Sequence, residues 1–289
     1  MASTNVRLVL LGLALAAAAS PAMADRVRWA SRVNTQIGAG GIDQVVLDLQ
    51  VNGGNGSTYV YDDAGGPGDL AGRRFLTEGS TDLANGLMRS QLGGRGGPGE
   101  GSGNAIWISN TMMIETFQFQ GTFSGQTVPF SLSMDGFWGV TGDPLQFGQS
   151  RTQLVILGGD VVIDDDALAS AENINAQIFF NPAITPLFSQ LKSLDHQTAG
   201  PLETTGTVTL NGVNPRIQVV FGTTLVALSN SANTQFSADY TNTSVASADF
   251  GGLTVLSESG FFPGTLPIPA PGALAALGLS GLVALRRRR

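Results

Sequence analysis

Apolar and polar residues alternate along short runs throughout the middle of the chain, and turn-forming residues separate these runs. Residues 112–123 and 127–134 show the two-residue period most plainly, which indicates half-buried β-strands. Residues 204–210 and 216–228 flank the turn sequence Asn-Gly-Val-Asn-Pro, and we expect them to pair as a β-hairpin. The same pattern predicts further strands at residues 44–51, 57–61, 105–109, 153–157, 160–163, 175–180, 234–240 and 245–256.

These predicted strands follow one another without helices that would form βαβ units. The two helix candidates, residues 166–172 and 187–194, are short and lack a helical period. About ten to thirteen strands in succession predict an all-β body, a β-sandwich of jelly-roll type. The Gly-rich stretch at 92–103 is expected to be a surface loop rather than a phosphate-cradling loop. No helix with Lys, Ser or Thr in the required frame follows it.

The N-terminal residues have the three parts of a secretory signal peptide. Arg7 supplies a basic region, residues 8–19 form an unbroken apolar or small run, and Ala22 and Ala24 form an A-x-A cleavage signature. Cleavage there makes Asp25 the mature N-terminus, and the apolar run is the signal helix. A membrane-anchoring helix is the alternative, but the run is well below the ~20 residues that cross a bilayer.

The C-terminal residues form a second segment directed to the membrane. A Pro-rich stretch at 267–272 interrupts regular structure, and residues 272–285 are all apolar or small. Four arginines complete the segment: Arg286, Arg287, Arg288 and Arg289. The positive-inside rule keeps these arginines on the cytoplasmic side, which predicts a transmembrane helix with the body of the protein outside. A buried C-terminal helix is the alternative, but a core helix is amphipathic, whereas this run is apolar all round.

The sequence Pro269-Ala270-Pro271, followed by the apolar run and the arginine cluster, resembles the PEP-CTERM sorting signal of bacterial exported proteins. Ala270 stands where that family has Glu, and the resemblance is confined to residues 266–289. It implies that an exosortase, a membrane protease-transpeptidase, recognises the tail and removes it. The processed protein would then be exported or attached to the surface, usually in species that make exopolysaccharide. Bodies built of β-sheet are common among such proteins.

These segments divide the chain into a signal peptide (1–24), a β-sandwich domain (25–265) and a sorting signal (266–289). The whole chain carries 15 basic and 22 acidic residues, a net charge of −7. Arg7 and the four C-terminal arginines lie in the two removable segments. The domain therefore keeps 10 basic residues against 22 acidic ones, a net charge of −12. Such a surface repels phosphate backbones, and we expect no nucleic-acid partner.

The chain has no cysteine and one histidine, which excludes several kinds of site. Disulfides, thiolate zinc sites, iron–sulfur clusters, cysteine nucleophiles and sites with two imidazoles cannot form within it. Lys192 is the single lysine, and no P-loop sequence surrounds it. Asp195 precedes His196, but the chain has no G-x-S-x-G sequence, so we interpret His196 as a lone surface residue rather than part of a hydrolase triad.

Two kinds of ligand-binding residue remain as candidates. Asp164, Asp165 and Asp166 form the tightest acidic cluster, and their oxygens suit Ca²⁺. Three consecutive residues of a strand cannot all face one ion, so a solvated loop is the competing interpretation. Asp62-Asp63 is a weaker candidate of the same kind, and no other cofactor is expected. Six aromatic residues are suited either to stacking on sugar rings or to anchoring the core: Trp29, Trp107, Trp138, Tyr59, Tyr61 and Tyr240.

We therefore expect a non-enzymatic protein that is exported or anchored at the cell surface and acts in the envelope or extracellular matrix. Its expected partners are signal peptidase and the export machinery, an exosortase-type sorting protease, the inner membrane during transit, and exopolysaccharide. The expected location is first a membrane-anchored intermediate, then the cell surface or the medium. Two alternatives stay open: a carbohydrate-binding module for exopolysaccharide, and a secreted glycoside-active enzyme. The latter needs a pair of facing carboxylates that the spacing does not identify.

Overall fold

The computed structural model describes residues 29–39, 44–51, 55–62, 74–95, 105–159, 161, 185–198, 200–231 and 233–267. Within these ranges the chain forms fifteen β-strands and contains no helix, so the prediction of an all-β body is confirmed. The strands are β1 (Ala30–Ala39), β2 (Gln44–Val51), β3 (Ser57–Asp62), β4 (Arg74–Asp82), β5 (Leu87–Arg95), β6 (Ala105–Phe119), β7 (Thr122–Met134), β8 (Phe137–Thr141), β9 (Phe147–Gly158), β10 (Phe188–Asp195), β11 (Leu202–Val213), β12 (Arg216–Ser229), β13 (Gln235–Ala248), β14 (Val255–Ser257) and β15 (Leu266–Pro267).

Two antiparallel sheets contain these strands. Sheet A has the order β10-β9-β12-β6-β1-β2, and β14 extends it by pairing with the end of β6 and, in parallel, with β15. Sheet B has the order β11-β7-β13-β5-β4-β3, and β8 pairs with β13. The chain crosses repeatedly from one sheet to the other, for example between β6 and β7 and between β12 and β13, so the two sheets stack as a β-sandwich.

An apolar core lies between the two sheets. A first cluster draws phenylalanines from both sheets and from the loops: Phe117, Phe119, Phe130, Phe221, Phe250 and Phe262. A second cluster surrounds Trp107, which is fully buried and contacts Phe75 and Phe236 at ring-centroid distances of 5.0 and 4.8 Å. Burial of these large side chains removes apolar area from water and stabilises the sandwich without disulfides.

The sandwich has two ends, which we name after the turns that lie there. At the β6–β7 end, β6 turns into β7 at residues 120–121, and β11 turns into β12 at residues 214–215. At the β7–β8 end, β7 turns into β8 at residues 135–136, and residues 142–146 lead from β8 into β9. Because β6 has 15 residues, the two ends lie about 50 Å apart.

The predicted hairpin at 204–228 is wrong. β11 pairs with β7 in sheet B, whereas β12 pairs with β6 and β9 in sheet A. The turn between them holds Asn214 at a positive φ of 48°. The Asn214 N–H donates to the carbonyl of Gly121, and its Oδ1 accepts from the Gly121 N–H, each over 2.8 Å. Both strands bury alternate apolar residues in one core. An alternating pattern fits two strands that face each other across a core as well as it fits two strands that pair side by side, so the pattern alone does not determine the pairing.

Several other elements also differ from their predictions. The strand predicted at 112–123 crosses the turn between β6 and β7, and the strand predicted at 245–256 crosses the loop between β13 and β14. The helix candidate at 187–194 is the edge strand β10, in which pairing with β9 satisfies the backbone groups. Residues 92–95 of the Gly-rich stretch predicted as a loop at 92–103 belong to β5 and pair with β4 and β13, and the rest of that stretch lies outside the described residues. Three predicted elements lie outside the described residues, except for Val161. They are the strands at 160–163 and 175–180 and the helix at 166–172.

Neither predicted terminal helix falls within the described residues, which start at Trp29 and end at Pro267. Inside those ranges the structure contains no helix with the length and hydropathy of a membrane span. β15 places Leu266 and Pro267 beside β14, so sheet A continues to the last described residue.

Candidate functional site

An open cleft at the β7–β8 end is the candidate binding site. Its volume is about 350 Å³, near the lower limit of small-molecule sites. Strand β8, the β8–β9 loop and the turn after β10 each contribute two lining residues: Trp138, Val140, Gly142, Pro144, His196 and Gln197. None of these six carries a carboxylate, an ammonium or a guanidinium group. The cleft therefore suits an uncharged ligand that offers an apolar face and hydroxyl groups.

Trp138 is held in place by contacts behind the cleft. Its Nε1–H donates to Ser150 Oγ over 2.9 Å, and Ser150 Oγ donates to Tyr240 Oη over 2.9 Å. The indole also stacks on Phe236, with ring centroids 6.2 Å apart and planes 28° apart. Burial raises the pKa of the Tyr240 phenol, so this hydroxyl stays protonated and available as a hydrogen-bonding group. Trp138 is thus a pre-positioned, half-buried aromatic surface at the wall of the cleft.

His196 lines the cleft beside Trp138. The imidazole meets the indole edge to face, with ring centroids 6.0 Å apart and planes 64° apart. Its Nδ1 lies 3.2 Å from the carbonyl oxygen of Gly148 and 3.1 Å from Asp195 Oδ1. Both neighbours are acceptors, so Nδ1 carries the proton and Nε2 is left as an acceptor. The His196 side chain is only 8% exposed, so the interpretation of a lone surface histidine is wrong.

Gly148 explains how His196 comes to lie so close to strand β9. A Cβ at position 148 would stand 2.8 Å from both Cβ and Cγ of His196. The His196 N–H also donates to the Gly148 carbonyl over 2.9 Å. Only glycine leaves room for this ring against the strand, and the ring in turn defines one side of the cleft.

The other aromatic candidates whose side chains are described do not line the cleft. Trp107 is fully buried in the core, and Tyr240 is buried beneath Trp138. Trp29 lies far away, at the β6–β7 end, where it packs against the phenylalanine cluster. The side chains of Tyr59 and Tyr61 lie outside the described residues. The structure therefore brings one of the six aromatic candidates, Trp138, to the cleft wall.

The calcium candidates Asp164, Asp165 and Asp166 lie outside the described residues, as do Asp63 and the side chain of Asp62. In the part of the chain that is described, no group of three or more His, Asp or Glu side chains is placed to hold a metal ion. The residues of the expected signal-peptide and sorting motifs also lie outside it: Ala22, Ala24, Pro269, Ala270, Pro271 and Arg286 to Arg289.

The two ends of the described chain nevertheless meet. Trp29 directly precedes β1, and its ring packs edge to face against Phe261 in the segment between β14 and β15, with centroids 6.3 Å apart. β1 and β14 occupy successive stretches along the same side of β6, with Ala30 opposite Ile114 and Ser257 opposite Phe117. The N-terminal entry and the C-terminal exit are therefore neighbours at the β6–β7 end.

A buried carboxylate lies close to this junction, and no motif pointed to it. Glu115 of β6 is 1% exposed and accepts hydrogen bonds from the N–H groups of Thr116 and Ser259, over 3.2 and 3.1 Å, and from the Ser259 hydroxyl. Burial raises the pKa of Glu115 to about 7, against the opposing effect of these hydrogen bonds. The signal for it in the sequence is the strand alternation, which places Glu115 on the same face as Phe117 and Phe119.

Comparison with known proteins identifies no relative. The chain matches no family model, and none of the curated proteins is significantly similar to it.

Proposed function

We propose that this protein is an exported, non-enzymatic component of the cell envelope or extracellular matrix that is processed at a C-terminal sorting signal. The observation that carries the proposal is the contact between Trp29 and Phe261. It brings together the points from which the signal peptide and the sorting tail leave the sandwich. In this proposal the sandwich is jelly-roll-like, a signal helix precedes it, and a transmembrane helix follows it.

This arrangement suits a protein that is tethered while it is processed. Both cleavage sites adjoin one end of the body, so signal peptidase and an exosortase-type protease reach them without unfolding the sandwich. Beyond β15, the Pro-rich link at 268–272 has a sequence that disfavours helix and sheet, which favours access by a protease. The β7–β8 end, about 50 Å away, is left free for contacts outside the cell.

The test is the intact mass and the location of the protein in the organism that makes it. The full chain should lose residues 1–24 and the tail, whereas a variant truncated after Pro267 should lose only residues 1–24 and should bypass membrane retention. Exchanging Pro269 and Pro271 for alanine should leave an unprocessed, membrane-bound chain. Pro263→Ala, at an exposed loop proline outside the motif, is the matched control. A mature full chain that still carries residues 268–289, or one that is found where the truncated chain is found, would remove the proposal.

A second candidate function is saccharide binding at the cleft. The observation that favours it is that the positioned Trp138 indole and the neighbouring His196 imidazole both line the 350 Å³ cleft. Sugar rings have an apolar face that stacks on indole and hydroxyls that bond to imidazole and amide groups. Exopolysaccharide is the corresponding partner in the extracellular matrix.

This candidate is tested by titrating neutral oligosaccharides and purified exopolysaccharide against the folded body. Trp138→Ala should abolish binding, and Phe137→Ala is the matched control. Phe137 is the neighbouring aromatic on β8, is exposed, and does not line the cleft. Equal loss in both variants, or no binding by the parent protein, would count against a saccharide site.

A further inference from the structure

The β6–β7 end carries apolar side chains that the sandwich leaves in water. Phe261 is 56% exposed, Leu266 is 57% exposed and Val213 is 71% exposed. Phe261 and Leu266 lie on the final segment of the described chain, where Gly260 approaches Pro267 so closely that a Cβ at Gly260 would stand 2.7 Å from Pro267 Cβ. Val213 ends β11 beside Thr122, the first residue of β7.

If the sorting tail spans the bilayer, the short link between β15 and the tail keeps the β6–β7 end close to the membrane. Five residue steps separate Pro267 from Gly272, where the apolar run begins. A fully extended chain covers at most ~3.6 Å per residue, so Pro267 lies within about 18 Å of the start of the run. The β7–β8 end, about 50 Å away along β6, is beyond that reach while the body stands upright.

The length of the run draws the body closer still. Residues 272–285 would span about 21 Å as a helix, whereas the hydrocarbon core of a bilayer is ~30 Å thick. A short span is accommodated by thinning the bilayer or by drawing flanking residues into it. The shortfall of about 9 Å equals about three extended residues of the apolar flank 266–271, so the bilayer surface lies within a few residues of Leu266.

The composition of this end matches the membrane interface rather than an electrostatic docking site. Trp29 and Phe261 form an aromatic pair at the point where the chain enters and leaves, and aromatic side chains are enriched at the membrane–water boundary. The nearby Arg216 is paired with Glu258 over 2.5 Å, and the domain has a net charge of −12. Attraction to anionic lipid headgroups therefore contributes little, and apolar contact provides the affinity.

We propose that the β6–β7 end is a membrane-contacting surface, in which Phe261, Leu266 and Val213 enter the interfacial layer of the bilayer that holds the sorting tail. This inference rests on the proposed function, because the tail is what brings the bilayer to this end. It adds that the body stands on the membrane in a defined orientation and presents the Trp138 cleft outward.

The absence of cysteine allows a direct test with single-cysteine variants of the full chain. Each variant carries an environment-sensitive fluorophore and is reconstituted in phosphatidylcholine vesicles that contain nitroxide-labelled lipids, one with a shallow quencher for positions outside the tail and one with a mid-bilayer quencher for the tail. Phe261→Cys and Leu266→Cys report on the proposed surface, and Leu279→Cys reports on the tail. Phe137→Cys at the other end and Leu191→Cys on edge strand β10 are matched controls at exposed apolar positions.

The proposal predicts strong quenching and a blue shift at positions 261, 266 and 279, several-fold above positions 137 and 191. Quenching at 279 with none at 261 and 266 would overturn the membrane-contacting surface while leaving the anchored tail intact. Equal quenching at 191 would also overturn it, because the body would then lie on its side. No quenching at 279 would overturn the membrane-spanning tail, and this inference with it. Adding anionic lipid should leave the pattern unchanged.

Discussion

Glu115 and Ser259 are joined by two hydrogen bonds, although 144 residues separate them in the chain. The Ser259 N–H donates to Oε1 of Glu115 over 3.1 Å, and the Ser259 hydroxyl donates to Oε2. These bonds tie the central strand β6 to the segment between β14 and β15, near the last described residue. A carboxylate buried among phenylalanines is costly to ionise, and the hydrogen bonds offset only part of that cost.

Stability should therefore fall as the pH rises through the titration of Glu115. Its pKa is raised from 4.5 in the unfolded chain to about 7 in the folded protein, so the folded protein retains a proton that the unfolded chain has lost. The free energy of unfolding decreases between these two values, by about 3 kcal/mol once the pH exceeds 7. Glu115→Gln should remove this decrease and make the protein more stable than the parent at pH 8.

Urea denaturation at intervals from pH 5 to pH 8 measures this effect. The matched control is Glu203→Gln, which neutralises an exposed glutamate on β11. Its profile should parallel that of the parent protein. A Glu115→Gln profile that also parallels the parent would show that this carboxylate does not titrate in the window.

Gly94→Ala should destabilise the protein by about 1–3 kcal/mol, because it overpacks the core. A Cβ at Gly94 would lie 2.6 Å from the Trp107 indole, which is fully buried between Phe75 and Phe236 and cannot shift. The comparison is Gly158→Ala on β9, where a Cβ would meet nothing within 4 Å. Thermal melts of the two variants should differ clearly, and similar melting temperatures would contradict the packing argument.

Thr152 and Thr204 share a buried hydrogen bond of 2.7 Å between sheet A and sheet B. Thr152→Val should cost about 1–3 kcal/mol, because it leaves the Thr204 hydroxyl buried without its partner. The double variant with Thr204→Val should recover most of that loss. A double-mutant cycle by chemical denaturation gives the coupling free energy between Thr152 and Thr204, and strictly additive effects would contradict the proposed hydrogen bond.

Ser131→Ala is the control, because it removes one hydroxyl of the exposed Ser131–Ser247 pair. It should change the free energy of unfolding by less than about 0.5 kcal/mol.

Gly148→Ala should weaken saccharide binding at the cleft without altering any lining residue. The added methyl group displaces the His196 ring, whereas the contacts of Trp138 with Ser150 and Phe236 remain. Calorimetric titration with the best neutral oligosaccharide measures the loss, and Gly158→Ala on the same strand is the control. Unchanged affinity would show that His196 does not contribute to the site.

Much of the strand content was predictable, but the partners of the strands were not. The alternation at residues 127–134 correctly predicts part of β7. The predicted pairing of residues 207–210 with 217–221 fails, since the same alternation fits two strands that face each other across a core. The helix candidate at 187–194 fails because pairing with β9 decides the conformation of a short segment with weak local preference.

The candidate site was less predictable than the fold. Trp138 and His196 were each considered, but nothing in their spacing indicates that the two rings meet at 6.0 Å. Gly148 and Ser150, which position them, carry no sequence signal at all. Glu115 was visible as a carboxylate on an apolar face, but its pKa depends on Ser259, which only the fold brings to it.

The sequence by itself determined the all-β character of the body, its acidic charge, the absence of cysteine chemistry, and the expectation of two membrane-directed segments. Each of these follows from composition or from a pattern repeated over a few neighbouring residues. Only the tertiary structure decided which strands pair, where the cleft opens, and that Trp29 and Phe261 meet at one end. Those features depend on contacts between residues far apart in the chain, where burial and hydrogen-bond satisfaction select among arrangements that local pattern leaves equivalent.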